Sequence, residues 1–258
     1  MQDIDIRSAV ETALSEDLNG QSANHGDITA NLIPATQVIT ADIITREACV
    51  LAGAAWVTET FTQLNKNIQL HWYVKDGDHL KVNQPIVKVS GNARHILTGE
   101  RTALNFLQTL SGTATVVANC VKELAGTNTQ LLDTRKTLPG MRLAQKYAVT
   151  CGGGTNHRIG LYDAYLIKEN HILACGSIQA AVTKARLHNA DLPVEVEVEN
   201  MDELQQAIEA KADIVMLDNF DLQMLKQAVI VNQGRCKLEV SGNITIENLK
   251  VLSALGVD

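Results

Sequence analysis

Five apolar, β-rich runs between Thr129 and Ser241 each end in polar or charged residues, and amphipathic stretches of helical spacing separate them. Residues 129–132 lead into Asp133-Thr134-Arg135-Lys136, and residues 164–167 into Lys168-Glu169. Residues 194–198 carry Glu195 and Glu197 and lead into Glu199. Residues 214–217 lead into Asp218-Asn219, and residues 237–240 into Ser241-Gly242. Alternating strand and helix patterns dictate a parallel sheet, and buried parallel strands are almost wholly apolar, so a glutamate-studded strand needs a reason. In a β/α barrel the C-terminal strand ends converge on one mouth, where such folds carry out chemistry. The pattern predicts an α/β chain in which basic and acidic groups from separate segments meet.

Before these runs, Ile6, Val10, Leu14 and Leu18 recur every four residues and predict an amphipathic helix ending near Asn19-Gly20. Residues 21–36 read as loop, and residues 37–51 and 68–74 have the β-branched content of strands. Asp76-Gly77-Asp78 reads as a turn, and Pro85 marks an edge strand or a bulge. From residue 96 to 124 the spacing of Leu97, Arg101, Leu104, Leu107 and Leu110 is helical, and Ser111-Gly112-Thr113 is expected to split that stretch in two. The break sets the expected seam between an N-terminal α+β sandwich domain, residues 1–110, and an incomplete β/α barrel carrying the active site, residues 111–258. After a last helix at 245–255, Gly256-Val257-Asp258 resembles the opening of a further β unit. Five strands do not close an eight-stranded barrel, so the natural C-terminal end is expected to be missing.

With 258 residues, 45% of them hydrophobic, the chain has enough apolar surface for a substantial core. Its net charge of -7 argues against a nucleic-acid partner. Five cysteines without a CxxC pair suggest reduced thiols, neither a zinc ribbon nor a disulfide framework. The acidic start Met1-Gln2-Asp3-Ile4-Asp5 lacks the basic-then-apolar pattern of a leader, and no apolar run is long enough to span a bilayer. A cytoplasmic protein with no membrane partner is expected.

Arg135 and Lys136 repel one another unless an anion lies between them. A solvated basic loop or a carboxylate or phosphate clamp explains them, with Arg135 suited to bidentate binding. Cys151-Gly152-Gly153-Gly154-Thr155-Asn156-His157-Arg158 delivers polar side chains from a glycine run that matches neither a P-loop nor a dinucleotide fingerprint; a close backbone approach or a hinge would use it. Cys151 reads as a buried structural thiol, and His157 beside Arg158 as a donor to an anion. Glu195, Glu197 and Glu199 share one strand face by alternation, either lining the barrel interior beside a cation or metal or forming an acidic stripe on an exposed edge. Asp218 at the end of the next run favours the interior, since two carboxylates at neighbouring strand ends suit Mg²⁺. Lys168 fits either a Schiff-base nucleophile or a cation for substrate anions. Ser241-Gly242-Asn243 before the last helix offers a phosphate site or an ordinary helix cap.

Taken in order, Gly99-Glu100-Arg101-Thr102-Ala103-Leu104-Asn105, Asp133-Thr134-Arg135-Lys136-Thr137, Gly153-Gly154-Thr155-Asn156-His157-Arg158, Leu166-Ile167-Lys168-Glu169-Asn170, Glu195-Val196-Glu197-Val198-Glu199 and Met216-Leu217-Asp218-Asn219 closely resemble the quinolinate phosphoribosyltransferase family. Glu16-Asp17-Leu18 and Gly26-Asp27-Ile28-Thr29 fit that family's N-terminal pattern, so the likeness spans almost the whole chain. The resemblance implies conversion of quinolinate and phosphoribosyl pyrophosphate into nicotinate mononucleotide, pyrophosphate and CO₂ with Mg²⁺, in NAD biosynthesis. It implies that Arg135, His157, Arg158 and Lys168 hold the two quinolinate carboxylates. Arg101 would reach the site from the partner subunit of a homodimer, or of a higher oligomer. Lys136, Glu197 and Asp218 would act in catalysis, Glu197 and Asp218 as metal ligands, with Thr134 and Ser241-Gly242-Asn243 binding substrate. The resemblance alone selects Glu197 from the three glutamates.

Overall fold

The computed structural model describes residues 4–258, so residues 1–3 of the acidic start lie outside the described residues. The chain divides into two units, one comprising the residues through Ala118 with Thr137–Gly154, the other Asn119–Lys136 with Thr155–Asp258. This division differs from a single cut at residue 110: the second unit begins later, and residues 137–154 return to the first.

The first unit contains α1 (Ile6–Asp17), a short α2 (Ala23–Gly26), β1 (Val38–Ile44), β2 (Cys49–Val50), α3 (Ala54–Leu64), β3 (Gln69–Trp72), β4 (His79–Leu80), β5 (Pro85–Asn92), α4 (Ala93–Glu123, whose last turn belongs to the second unit) and α5 (Arg142–Cys151). As its periodicity predicts, α1 buries Val10 and Leu14, and Asp5 caps its start by accepting the Ser8 N–H at 2.9 Å. A three-stranded antiparallel sheet runs in the order β1-β5-β3. Its Ile86, Val87 and Val89 pack with Val57 and Phe61 of α3 and Ile96, Ala103 and Leu107 of α4, giving the expected α+β layer.

Of the two alternatives for Pro85, the bulge holds and the edge strand does not: β5 is central, the proline is its first residue, where a missing N–H is tolerated, and the sheet register shifts opposite it between Ile43 and Ile44. The expected break at Ser111-Gly112-Thr113 fails, because α4 runs through all three residues. The buried Ser111 hydroxyl accepts the Ala52 N–H at 3.0 Å and lies 3.1 Å from the Ala52 carbonyl, fastening the helix where the glycine weakens it.

The second unit contains β6 (Tyr165–Ile167), α6 (Glu169–Cys175), α7 (Ile178–His188), β7 (Val194–Val198), α8 (Met201–Glu209), β8 (Ile214–Asp218), α9 (Leu222–Asn232), β9 (Lys237–Ser241) and α10 (Ile246–Ser253). Four parallel strands in the order β6-β7-β8-β9 form the open barrel sheet. Of the five apolar runs, residues 129–132 form no strand; Leu132 makes an isolated parallel bridge to Thr155. The side chains of Ser177, Asn200 and Asp221 accept N–H groups in the first turns of α7, α8 and α9, each cap contributing about 1 kcal/mol.

Strand alternation gives the sheet two different faces. Val194, Val196, Val198, Val215, Leu217 and Leu238 join a buried cluster with Ile178 and Val182 of α7, Leu204 and Ala207 of α8, and Leu225 of α9. The register puts Glu195 beside Ile214 and Lys237, Glu197 beside Met216 and Glu239, and Asp218 beside Ser241, all on the other face. Among the described residues no helix is long and apolar enough to cross a membrane.

Candidate active site

β7 lies between β6 and β8, which rules out an acidic stripe on an exposed edge. Glu195, Glu197 and Glu199 face three different situations. Glu195 is 1% exposed and meets His157, with Nε2 2.6 Å from Oε2. Glu197 is half-buried and paired with the Lys168 ammonium. Glu199 lies beyond the strand, where the neighbouring Glu169, followed by Glu203, Asp218 and Glu197, holds its carboxyl above the usual range.

Lys168 is placed by the junction of β6 and α6, where its backbone N–H donates to His171 Nδ1 at 3.0 Å. His157 is placed by its own backbone, whose N–H donates to Asp133 Oδ1 at 2.9 Å while Asn156 Nδ2 donates to Asp133 Oδ2 at 2.7 Å. Asp133, the first polar residue after the first apolar run, thereby orders the loop carrying both Asn156 and His157. The Glu195 hydrogen bond holds the His157 imidazole above its ordinary proton affinity, against the opposing effect of burial.

Arg158 donates to the Ala164 carbonyl at 3.3 Å, and Asp163 accepts the N–H groups of Ile159 and Gly160 at 2.7 and 2.9 Å. Burial, and then the field of Arg135, lowers the proton affinity of the Arg158 guanidinium. Arg135 itself has a buried Nε with no hydrogen-bond partner. A buried donor without an acceptor costs about 1–3 kcal/mol, and an anion between the guanidiniums would supply acceptors and offset their repulsion.

At the far ends of β8 and β9, the Asn219 N–H donates to the Ser241 carbonyl at 3.1 Å and Asn243 Nδ2 lies 3.4 Å from Asn219 Oδ1. Gly242 is required there: its φ is +86°, and a Cβ would fall 2.2 Å from Asn219 Oδ1. Asn219 Nδ2 donates to Asp218 Oδ2 at 2.8 Å, joining this turn to the carboxylate beside it. Asp218 and Glu197 offer hard oxygen donors on one face of neighbouring strands, which fits Mg²⁺ binding with water completing the shell.

The second unit thus brings Arg135 near Arg158, His157 onto Glu195, Lys168 onto Glu197, and the Ser241-Gly242-Asn243 turn beside Asp218. Thr134 is exposed and accepts the Lys136 N–H at 3.0 Å, and Lys136 is exposed as well. Arg101 is an exposed residue of α4 in the first unit. The glycine run ends α5 and makes the close backbone approach expected of it, with Gly152 so near α4 that a Cβ would meet the Ala114 carbonyl at 2.4 Å. Cys151 is half-buried there, and burial raises its thiol pKa, as expected of a structural thiol. The sequence reading missed Glu239, which lies 3.7 Å from His157 Nε2. The alternation Lys237-Leu238-Glu239-Val240-Ser241 carried its signal.

The family model described as quinolinate phosphoribosyl transferase, N-terminal domain, matches residues 27–111, and the corresponding C-terminal domain matches residues 113–258. Nicotinate-nucleotide pyrophosphorylase (carboxylating) of Mycobacterium leprae is 39% identical over 262 residues, covering 98% of this chain and 89% of that protein. Its chloroplastic counterpart in Arabidopsis thaliana is 36% identical over 273 residues, covering 98% and 77%. The solved nicotinate-nucleotide pyrophosphorylase of Francisella tularensis superimposes with a TM-score of 0.92 at 52% identity, over 98% of this chain and 88% of that one. For NadC of Streptococcus pyogenes the TM-score is 0.94 at 37% identity, over 100% and 91%. The polar sheet face, its cationic loops and these likenesses lead to one conclusion: the chain belongs to the quinolinate phosphoribosyltransferase family.

Proposed function

We propose that the chain transfers the phosphoribosyl group of phosphoribosyl pyrophosphate to quinolinate, giving nicotinate mononucleotide, pyrophosphate and CO₂ for de novo NAD synthesis. The orphaned Arg135 Nε beside Arg158 carries this reading, because it calls for an anionic ligand among cations set on an acidic protein. Arg135, Arg158, His157 and Lys168 grip the two carboxylates of the pyridine. Lys136, Thr134 and Ser241-Gly242-Asn243 take the phosphates of the donor. Glu197 and Asp218 would hold Mg²⁺, which would supply charge neutralisation for the departing pyrophosphate.

As the C1–O bond of the ribose breaks, its electron pair leaves with pyrophosphate and positive charge develops at C1. A fixed carboxylate, Glu197 or Asp218, stabilises that charge, and the pyridine nitrogen closes the new bond. The resulting pyridinium draws in the electron pair left when the adjacent carboxylate departs as CO₂, and a proton then fills the ring carbon. Positioning is the main requirement of that step.

A homodimer, with Arg101 supplied by the partner, completes the cationic set in this proposal. The reading places the enzyme in the cytoplasm, where thiols stay reduced, in keeping with its five unpaired cysteines. Incubating the purified chain with quinolinate, Mg²⁺ and phosphoribosyl pyrophosphate tests the activity. Nicotinate mononucleotide and CO₂ should appear in equal amounts; binding of phosphorylated ligands without turnover would instead mark a catalytically idle barrel.

A further inference from the structure

His157, Glu195 and Glu239 come from a loop and two strands, and each offers a polar atom within 4.8 Å of those of the others. β8 lies between β7 and β9, so the two glutamates converge across it on a single imidazole. Nε2 of His157 is 2.6 Å from Glu195 Oε2 and 3.7 Å from Glu239 Oε2. Glu195 is 1% exposed, and its Oε1 and the Glu239 Oε2 are buried without a hydrogen-bond partner. Two carboxylates do not both stay charged at low cost in such a place.

A metal ion or a proton would relieve the strain. Two donors on one tetrahedral ion at about 2.0–2.2 Å lie roughly 3.3 Å apart. The 2.6 Å separation here is instead that of a charge-assisted hydrogen bond, so protons hold the cluster together.

We propose that Glu195 and Glu239 are positioning residues of the anion site: Glu195 keeps His157 an imidazolium and fixes its ring, while Glu239 stays protonated beside them. The proposal rests on the preceding functional reading in taking a quinolinate carboxylate as the target of that imidazolium. A neutral imidazole tied to Glu195 through Nε2–H keeps a lone pair on its other nitrogen, whereas an imidazolium presents donors and positive charge.

The groups facing His157 are Glu195 from β7, Glu239 from β9, the adjacent Arg158, and Asp133, which binds its backbone N–H. The glutamates favour the charged ring and Arg158 opposes it, with the Glu195 hydrogen bond the largest influence. Around Glu239 stand Glu195 and His157; Lys237 and the Lys168–Glu197 pair belong to the same sheet face. Burial, followed by the Glu195 charge, pushes the Glu239 carboxyl up to about 7.

NMR titration of isotopically labelled histidines in the intact protein, with His157→Gln assigning the signal, tests the proposal without any substrate. Wild-type His157 should titrate above its ordinary midpoint, in the direction the Glu195 hydrogen bond dictates. Glu195→Gln should return that midpoint to the ordinary value or below, and Glu239→Gln should shift it less and remove an inflection near neutrality. Calorimetry at pH 7.5 should show Glu195→Gln weakening quinolinate about tenfold or more while phosphoribosyl pyrophosphate binding holds.

A wild-type His157 midpoint at or below the ordinary one overturns the proposal, as does an unchanged midpoint in folded Glu195→Gln. Should that variant fail to fold, the wild-type and Glu239→Gln titrations still decide. Zn²⁺ alone binding at micromolar concentration with displacement of the His157 proton also overturns it. A raised midpoint in a protein that does not bind quinolinate upholds the charge assignment and removes the substrate reading.

Discussion

The Lys168 ammonium and the Glu197 carboxylate form an ion pair where β6 ends and β7 runs beside it. The pairing turns Lys168 toward electrostatic work, since an amine engaged with a carboxylate is not presented as a free nucleophile. Borohydride added with quinolinate should leave Lys168 unmodified by mass spectrometry. Lys168→Met should raise the KM for quinolinate about 10- to 100-fold, the loss expected for a charge-assisted contact.

Arg135 and Arg158 carry a sharper test because two guanidiniums are set close together. Arg135→Ala or Arg158→Ala should weaken quinolinate by about 1.5–3 kcal/mol, or 10- to 150-fold, in equilibrium binding. Phosphoribosyl pyrophosphate should lose far less. Equal losses for both ligands would place the arginines elsewhere in the reaction.

Glu239 links the cluster to stability. Its carboxyl is raised from 4.5 to about 7 on folding, so the native state binds the proton more tightly than the unfolded chain. That stabilisation is complete below pH 4.5 and is lost as pH rises toward 7, a change on the order of 3 kcal/mol. Urea denaturation at pH 5 and pH 8 should show Glu239→Gln with a flatter pH dependence than the wild type and greater stability at pH 8.

Gly242→Ala tests the turn after β9. The substitution adds both left-handed strain and a collision with Asn219, and should cost about 1–3 kcal/mol in urea unfolding. It should also raise the KM for phosphoribosyl pyrophosphate while leaving quinolinate binding unchanged. Comparable losses for both substrates would argue that the turn serves the whole site.

Arg101 provides the test of assembly. If each site takes Arg101 from a partner subunit, mixing Arg101→Ala with Lys168→Ala under exchange should recover about a quarter of wild-type activity, because half the dimers then hold one intact site. Absence of recovery in mixed dimers verified by mass spectrometry would place Arg101 in its own subunit's site or outside any site.

The strands β7, β8 and β9 were legible to within one residue because apolar alternation over several positions is a local signal. Local signals also misled: Ser111-Gly112-Thr113 reads as a break, yet hydroxyl contacts to Ala52 hold α4 together from a segment about sixty residues away. Residues 129–132 look like a strand but find only one bridging partner at Leu132. Among the site residues, Arg135, His157, Arg158, Lys168, Glu197 and Asp218 stand out by motif, and the structure gathers them in one unit. Glu239 was overlooked because nothing near it in sequence reveals His157 as a neighbour. The separate duties of Glu195 and Glu197 were hidden for the same reason.

Because β7 turns its valines to the helices and its glutamates the other way, the strand tolerates no frameshift of its pleat. A single amino acid inserted after Val194 would drive two carboxylates into hydrocarbon and strip His157 and Lys168 of their counterions at once. Catalysis and foldability are therefore guarded by the same parity of five residues, and drift in this stretch is confined to exchanges that preserve its count.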